Sequence, residues 1–372
     1  MKKRLPKIAL LITMLLFATF YLLSFLGNNS LSLKGKVVIT VVEKQDDTYG
    51  TENSTDKNTS DSIFSSFTSA LGNFADTQTS QFTEMLNGNL ASKDSVTPVN
   101  DPYREYEIAL YCLDIGQGSS MVFRVGNEYM LFDGGDWESS EVLLQKLDSL
   151  GITEFQYVFV SHYDSDHVAG IISVLEKYTV RNLVAPDYVS DTETYRNFMY
   201  IVQECGFDII YPYPEQKFVL GDAVLTCVAP CDDSYMNEND YSIGLRIVYE
   251  NFSVLVCGDA TSVSEEEMLA YGQNLQSTVY IVNHHGSTSS TSQAFIERVA
   301  PEISIISCGA QNDYGHPTLT VLERIRNVGS LLLRTDQHGD VVITSDGATF
   351  HAYAEKPYIE DILWEPGVPA NG

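Results

Sequence analysis

Basic residues are scarce in this chain: Lys and Arg number 22 against 50 Asp and Glu, a formal net charge of -28. Proteins that coat duplex nucleic acid neutralise phosphates with lysine and arginine, so this balance excludes duplex coating as the main activity. It leaves phosphodiester hydrolysis open, because metal ions at a site supply positive charge that side chains lack. Paired cysteines are also missing. Cys112, Cys205, Cys227, Cys231, Cys257 and Cys308 form no CxxC motif and no Cys/His zinc-finger spacing. They read as small buried hydrophobes, Cys257 following Leu255-Val256, with a Cys227–Cys231 bridge as the alternative outside the cell. Long apolar runs are absent except one at the start, and no histidine occurs from Val168 to Thr278.

That one run, residues 8–26, follows Lys2, Lys3, Arg4 and Lys7. It is close to the roughly 20 residues that cross a bilayer as a helix. The flanking charge places residues 1–7 in the cytoplasm and everything downstream outside, a single-pass cell-membrane anchor. A cleaved signal peptide is the alternative, although no small-x-small site follows Leu26. Residues 27–105 read as a low-complexity extracytoplasmic linker, rich in Ser, Thr, Asn and Asp. Within it, 36–42 is β-like, and Ile63, Phe64, Phe67, Leu71 and Phe74 have helical spacing.

From 106 to 352 the pattern changes to one folded domain, with 353–372 as a C-terminal tail. Strands are expected at 108–113, 121–125, 130–132, 157–160, 183–185, 223–228, 244–249, 253–256, 279–282 and 303–306. Helical spacing covers 138–149, 167–178, 192–205, 264–271, 292–299 and 319–327. The early strands look like hairpins, so the class is mixed α/β (α+β), two sheets layered between helices.

Chemistry concentrates at strand ends. Ser161-His162-Tyr163-Asp164-Ser165-Asp166-His167 follows an apolar strand and precedes a helix, and its four candidate ligands can wrap one or two ions. Imidazole and carboxylate ligands suit Zn, Mn or Fe. Leu131-Phe132-Asp133-Gly134-Gly135, Val256-Cys257-Gly258-Asp259 and Ile281-Val282-Asn283-His284-His285-Gly286-Ser287 repeat the strand-then-ligand pattern. Each alone is ordinary turn chemistry; their recurrence points to a metal site.

In this order the motifs resemble the metallo-β-lactamase superfamily, most closely the hydrolase domain of ComEC-type competence proteins. Leu113-Asp114-Ile115-Gly116-Gln117-Gly118 resembles that group's opening, and Asn312-Asp313-Tyr314-Gly315-His316-Pro317 and Arg334-Thr335-Asp336-Gln337-His338-Gly339 resemble its closing elements. The resemblance covers about residues 108–347 and implies an αββα four-layer sandwich. It further implies that His162 and Asp164 serve one ion, that Asp166, His167 and one histidine of the His284-His285 pair serve the second, and that Asp259 bridges them. Asp164 replaces a histidine of the superfamily loop, which hardens the first position and makes Mn a rival to Zn there. A further histidine ligand usual between the loop and Asp259 is absent, and Ser119 stands where the subgroup usually has Asp.

The resemblance implies hydrolysis by metal-activated water, with Asp166 or Asp259 orienting the attack and His316 contacting or protonating the leaving group. Asp133 is expected to hold the His162 loop, and Asn239, Ser242 and Asn312 to orient ligand or substrate. His338 and His351 read as surface histidines. The expected cofactor is one or two divalent ions, Zn or Mn. The expected substrate is a phosphodiester, extracellular DNA first. Cell-wall phosphodiesters, lactones and β-lactams are the enzymatic alternatives, and a tethered binding domain with a decayed site is the non-enzymatic one.

Overall fold

The computed structural model describes residues 101–369, preceded by the backbone of two short strands, β1 (Ser32–Leu33) and β2 (Val37–Val41). The apolar run 8–26, the helical spacing at 63–74 and most of the expected linker lie outside the described residues. Among the described residues no helix is long and apolar enough to cross a membrane.

Three antiparallel strands come first: β3 (Ile108–Cys112), β4 (Met121–Val125) and β5 (Glu128–Phe132). Three α-to-β crossovers follow. Helix α1 (Ser140–Ser149) leads past β6 (Glu154–Phe155) to β7 (Tyr157–Phe159), and α2 (Ser165–Lys177) past β8 (Thr179–Val180) to β9 (Leu183–Val184). Helix α3 (Glu193–Cys205) leads to β10 (Ile209–Ile210). Its ends are marked in the sequence: Thr192 accepts from Tyr195 N at the N-cap, and Gly206 takes the left-handed C-cap. Strands β5, β7, β9 and β10 run parallel.

The second sheet opens as a meander of β11 (Lys217–Leu220), β12 (Ala223–Ala229), β13 (Gly244–Tyr249) and β14 (Phe252–Val256). It continues in parallel through β15 (Val279–Ile281), β16 (Ile303–Ile306) and β17 (Leu331–Arg334). Helices α4 (Ser262–Tyr271), α5 (Gln293–Val299) and α6 (Leu319–Asn327) make the crossovers. The parallel strands are buried on both faces and are accordingly near-continuous apolar runs. After a short α7 (Thr335–His338), β18 (Val341–Ser345) and β19 (Phe350–Ala354) return to the first sheet, whose order is β1-β2-β19-β18-β3-β4-β5-β7-β9-β10.

Three apolar clusters define four layers. Phe123, Phe132 and Phe159 of the first sheet meet Phe218, Leu245 and Val254 of the second, with the Phe159 and Phe218 rings edge to face at 5.4 Å. Leu143, Ile171, Val174 and Phe198 of α1–α3 cover one outer face. Met268, Phe295, Val321 and Leu322 of α4–α6 cover the other. The αββα arrangement expected from the sequence is the one observed.

The structure corrects several boundaries. Strands β6, β8, β10, β11, β17, β18 and β19 are not among those expected; β6, β8 and β10 have only two residues each, too few to show a period along the chain. Within the expected linker, β2 pairs in parallel with β19, Ile39 opposite Ala352. The expected tail includes the end of β19 and a docked segment in which Arg334 donates to the carbonyls of Leu363 and Glu365. The domain also begins before 106. Arg124, buried in β4, donates to the carbonyls of Tyr103, Tyr106 and Gly126 and lies 3.6 Å from the Asp101 carboxylate, which also accepts from Tyr111 Oη. A guanidinium cannot give up its proton, so its burial calls for acceptors and a counter-charge; Nη1 and Nη2 have carbonyl acceptors, and Nε has only the Asp101 charge at 3.6 Å. All six cysteines are free, and Cys112, Cys227, Cys257 and Cys308 are buried. Removing the carboxylate in Asp101→Ala leaves a buried cation without its counter-charge and should lower stability by about 3 kcal/mol. A urea midpoint equal to that of the unsubstituted protein would show that the carbonyls alone suffice.

Candidate metal centre

The loops that carry the candidate ligands leave the C-terminal ends of β5, β7, β14 and β15 and meet on one rim of the sandwich. A backbone bond from Ile243 N to Ser161 O joins the two sheets there. Gly118 and Gly258, both with positive φ, let backbones approach that a Cβ would separate: Gly118 abuts Asp166 O, and Gly258 abuts the Ser161 side chain. The Ser119 backbone completes this support, its N donating to Asp166 O at 3.1 Å.

Asp133 is fully buried and accepts from Ser161 N and Ser161 Oγ, both at 2.7 Å, and from His167 Nδ1 at 2.8 Å. A carboxylate oxygen accepts, so a His167 proton is assigned to Nδ1 and Nε2 is the nitrogen turned to the site, where an ion would displace any proton it carries. His285 Nδ1 donates to the Ser307 carbonyl at 2.7 Å, which leaves its Nε2 in the same condition. These two Nε2 atoms are 3.2 Å apart. Asp259 Oδ1 is 3.1 Å from His167 Nε2 and 3.6 Å from His285 Nε2, and Asp166 Oδ2 is 3.3 Å from His285 Nε2. His162 Nε2 is buried with no hydrogen-bond partner. Lone pairs and carboxylates converging in a buried space repel unless a cation or added protons lie among them. Two groups of ligand atoms fit a metal ion, each with its atoms within 4.8 Å of one another: His162, His167 and Asp259, and Asp166, His167 and His285. Mixed imidazole and carboxylate donors suit divalent ions such as zinc.

Electrostatics point the same way. Burial opposes charge on His167, yet Asp259 and Asp133 hold it well above the ordinary histidine range. His285 is also raised, burial being outweighed by Asp259 and Asp166. Burial likewise opposes charge on Asp166 and Asp259, but His167 and His285 hold both below the carboxylate range. His316 is lowered to about 4 by burial and by His285 and His284.

The remaining candidates occupy distinct places. The Asp164 carboxylate is 44% exposed and reaches His162 Nε2 at 3.4 Å, so it approaches the first group only through that histidine. His284 turns away from His285: its Nε2 is 3.5 Å from Asp259 Oδ2 and 3.5 Å from Asn239 Nδ2. Both histidines have positive φ, 51° and 53°, a conformation that costs about 1–2 kcal/mol per residue. Ser242 Oγ accepts from Asp259 N at 3.1 Å and positions that loop. Asn312 bonds the backbone of its own loop, accepting from His316 N and donating to Gly309 O and His316 O, and so acts as a scaffold for His316. The His316 ring lies 5.7 Å from that of His284.

His338 is a correction: it is buried, not on the surface, with Nδ1 3.0 Å from Arg334 N, and its motif staples the docked C-terminal segment. His351 is half-buried beside Tyr106. Glu265 carries no signal in the sequence, because it sits in an ordinary helix pattern. It is buried in α4 and accepts from Thr291 N, Ser292 N and Asn283 Nδ2, bracing the turn that carries both strained histidines. Burial pushes its carboxyl up to about 7 against those donors.

The profile of the Metallo-beta-lactamase superfamily (Lactamase_B) matches residues 113–310, more than half of the chain. The chain belongs to the metallo-beta-lactamase superfamily. Among curated relatives of this superfamily domain, Competence protein ComA of Neisseria gonorrhoeae is 32% identical over 237 residues, 63% of this chain and 32% of that protein. ComE operon protein 3 of Bacillus subtilis is 27% identical over 248 residues, 62% and 32% of the two. Recombination protein 2 of Haemophilus influenzae is 28% identical over 240 residues, 62% and 28%. The match spans about a third of the length of these relatives. A superfamily hydrolase related to competence proteins agrees with the ligand groups above.

Two outcomes follow for ion binding. Because His167 and His285 have raised pKa values, zinc or manganese uptake should release protons near neutral pH, and affinity should rise as pH rises through their titration. The stability that their protons lend the ion-free protein has the opposite sign, present below about pH 6.5 and lost as pH rises past the folded values. Titration calorimetry in buffers of different ionisation heat reads the release; identical heats would show that no proton is displaced. Asp133→Asn disturbs the His167 tautomer and should weaken ion affinity about 10- to 100-fold in a chelator competition.

Proposed function

We propose that this chain is a membrane-anchored, extracytoplasmic phosphodiesterase that cleaves DNA with one or two divalent ions, zinc or manganese. The observation that carries the reading is the convergence of His162, Asp166, His167, Asp259 and His285 into two overlapping ligand groups, with the single free nitrogen of His167 available to either. His162, His167 and Asp259 would hold an ion in one group, and Asp166, His167 and His285 in the other. When bound, such ions supply a water acidic near neutrality and stabilise charge on attacking and leaving oxygens.

The chain's own residues do the rest. Asp133 holds the His167 ring with Nε2 inward, and the Ser307 carbonyl does the same for His285. Asp166 and Asp259 stay ionised at neutral pH and are the acceptors that orient a water for attack. His316 is neutral at pH 7, so it meets a phosphate oxygen as a hydrogen-bond donor and not as a standing acid. Asn239 Nδ2, beside His284, offers a second donor. Relatives named for competence support DNA as the substrate, and the basic start followed by the apolar run 8–26 supports the anchor.

The full chain, stripped of metal and reloaded with manganese or zinc, should cleave DNA and sediment with membranes, accessible to DNA added outside intact cells. Asp259→Ala should lower cleavage by about a hundredfold or more. A protein that binds ions stoichiometrically yet cleaves no DNA overturns the reading and turns attention to wall phosphodiesters and cyclic esters or amides.

A further inference from the structure

The rim poses a recognition problem. A phosphodiester is an anion, yet among the described residues no hydrogen bond or ion pair of His162, Asp166, His167, Asp259, His285 or His316 involves lysine or arginine. Asp136 and Asp164 add further negative charge beside Asp166, and all three raise the pKa of the Tyr314 phenol, Asp166 most and ahead of burial. None of these residues recruits a side-chain cation, so a contact of another kind can supplement the ions.

Tyr314 offers one. Its side chain is 65% exposed, although it is a large aromatic at the edge of a buried site. Its ring lies 20° from the plane of His316 with centroids 5.7 Å apart, and His316 in turn meets His284 edge to face at 5.7 Å. A row of rings thus leads outward from the Asp259 carboxylate and ends on an open tyrosine. The segment beneath is held firmly. Asn312 Oδ1 accepts from Tyr314 N at 3.2 Å and from His316 N at 3.0 Å. The docked C-terminal segment adds Gly367 N donating to Pro317 O at 2.8 Å, and a Cβ on Gly367 would strike His316 O. A platform ordered before binding loses little entropy when a ligand stacks on it.

We propose that Tyr314 is the stacking platform for an unpaired nucleobase adjoining the scissile phosphodiester, so that this site selects single-stranded DNA by base stacking more than by phosphate charge. Stacking is tolerant of base identity but requires a face freed from the duplex. The proposal rests on the nuclease reading for its chemistry, and binding separates the two.

The test uses the metal-loaded full chain and labelled, phosphorothioate-linked oligothymidylate, which resists cleavage, beside an equally long abasic oligomer. Anisotropy should show tighter binding of the base-bearing strand. Tyr314→Ala should weaken that binding about tenfold and leave the abasic strand unchanged, while Tyr314→Phe keeps it. Equal affinity for both strands, no binding of either, or an equal loss on both in Tyr314→Ala overturns the proposal. If the base-dependent difference is found but natural DNA is never cut, stacking stands and the nuclease reading falls. If natural DNA is cut but binding shows no base dependence, the nuclease reading stands and the stacking platform falls.

Discussion

Two imidazole Nε2 atoms face each other across 3.2 Å, hemmed in by the Asp166 and Asp259 carboxylates. Nothing in the apolar sandwich would assemble that arrangement for its own stability, since taking so many ionisable groups out of water is costly even when they pair. It persists because each member is held from behind by a partner that faces the fold and not the site. Asp133 fixes His167, the Ser307 carbonyl fixes His285, Ser242 fixes Asp259, and the Ser119 amide fixes the backbone of Asp166. The positive φ values of His284 and His285 add backbone strain to the same site, offset by Glu265 and its three donors on the far side of the turn.

The charge of the chain acquires a meaning in this setting. A net charge of -28 raises the local concentration of divalent cations and opposes the approach of DNA. Ions bound among Asp166, His167, His285 and Asp259 would reverse the sign locally, making the ions the cationic part of the site. A neutral aromatic contact at Tyr314 is consistent with that arrangement, because it adds affinity without adding charge.

Segments at both ends of the described chain belong to the domain more closely than their composition suggests. Asp101–Tyr106 exists in its place because Arg124 needs acceptors inside β4. Residues 363–367 exist in theirs because Arg334 and the Pro317 carbonyl need partners beside the His316 loop. In each case a buried arginine binds the segment's carbonyls beside a few apolar side chains, Tyr103 in one and Leu363 and Trp364 in the other, too few to show a period.

Most strands and helices and the strand-end clusters that carry His162, Asp166, His167, Asp259 and the His284-His285 pair were legible in the sequence, and the four-layer class came with the resemblance. Their signals are local: apolar periodicity within an element, and ligand types clustered where a strand ends. Tertiary structure alone decided which histidine of the pair turns inward, because that depends on the Ser307 carbonyl, 22 residues further along the chain. It also decided that Asp164 reaches only His162, that Glu265 braces the histidine turn, and that His338 is buried. Each of these depends on which groups from distant segments share a buried space, and spacing along one chain carries no record of that.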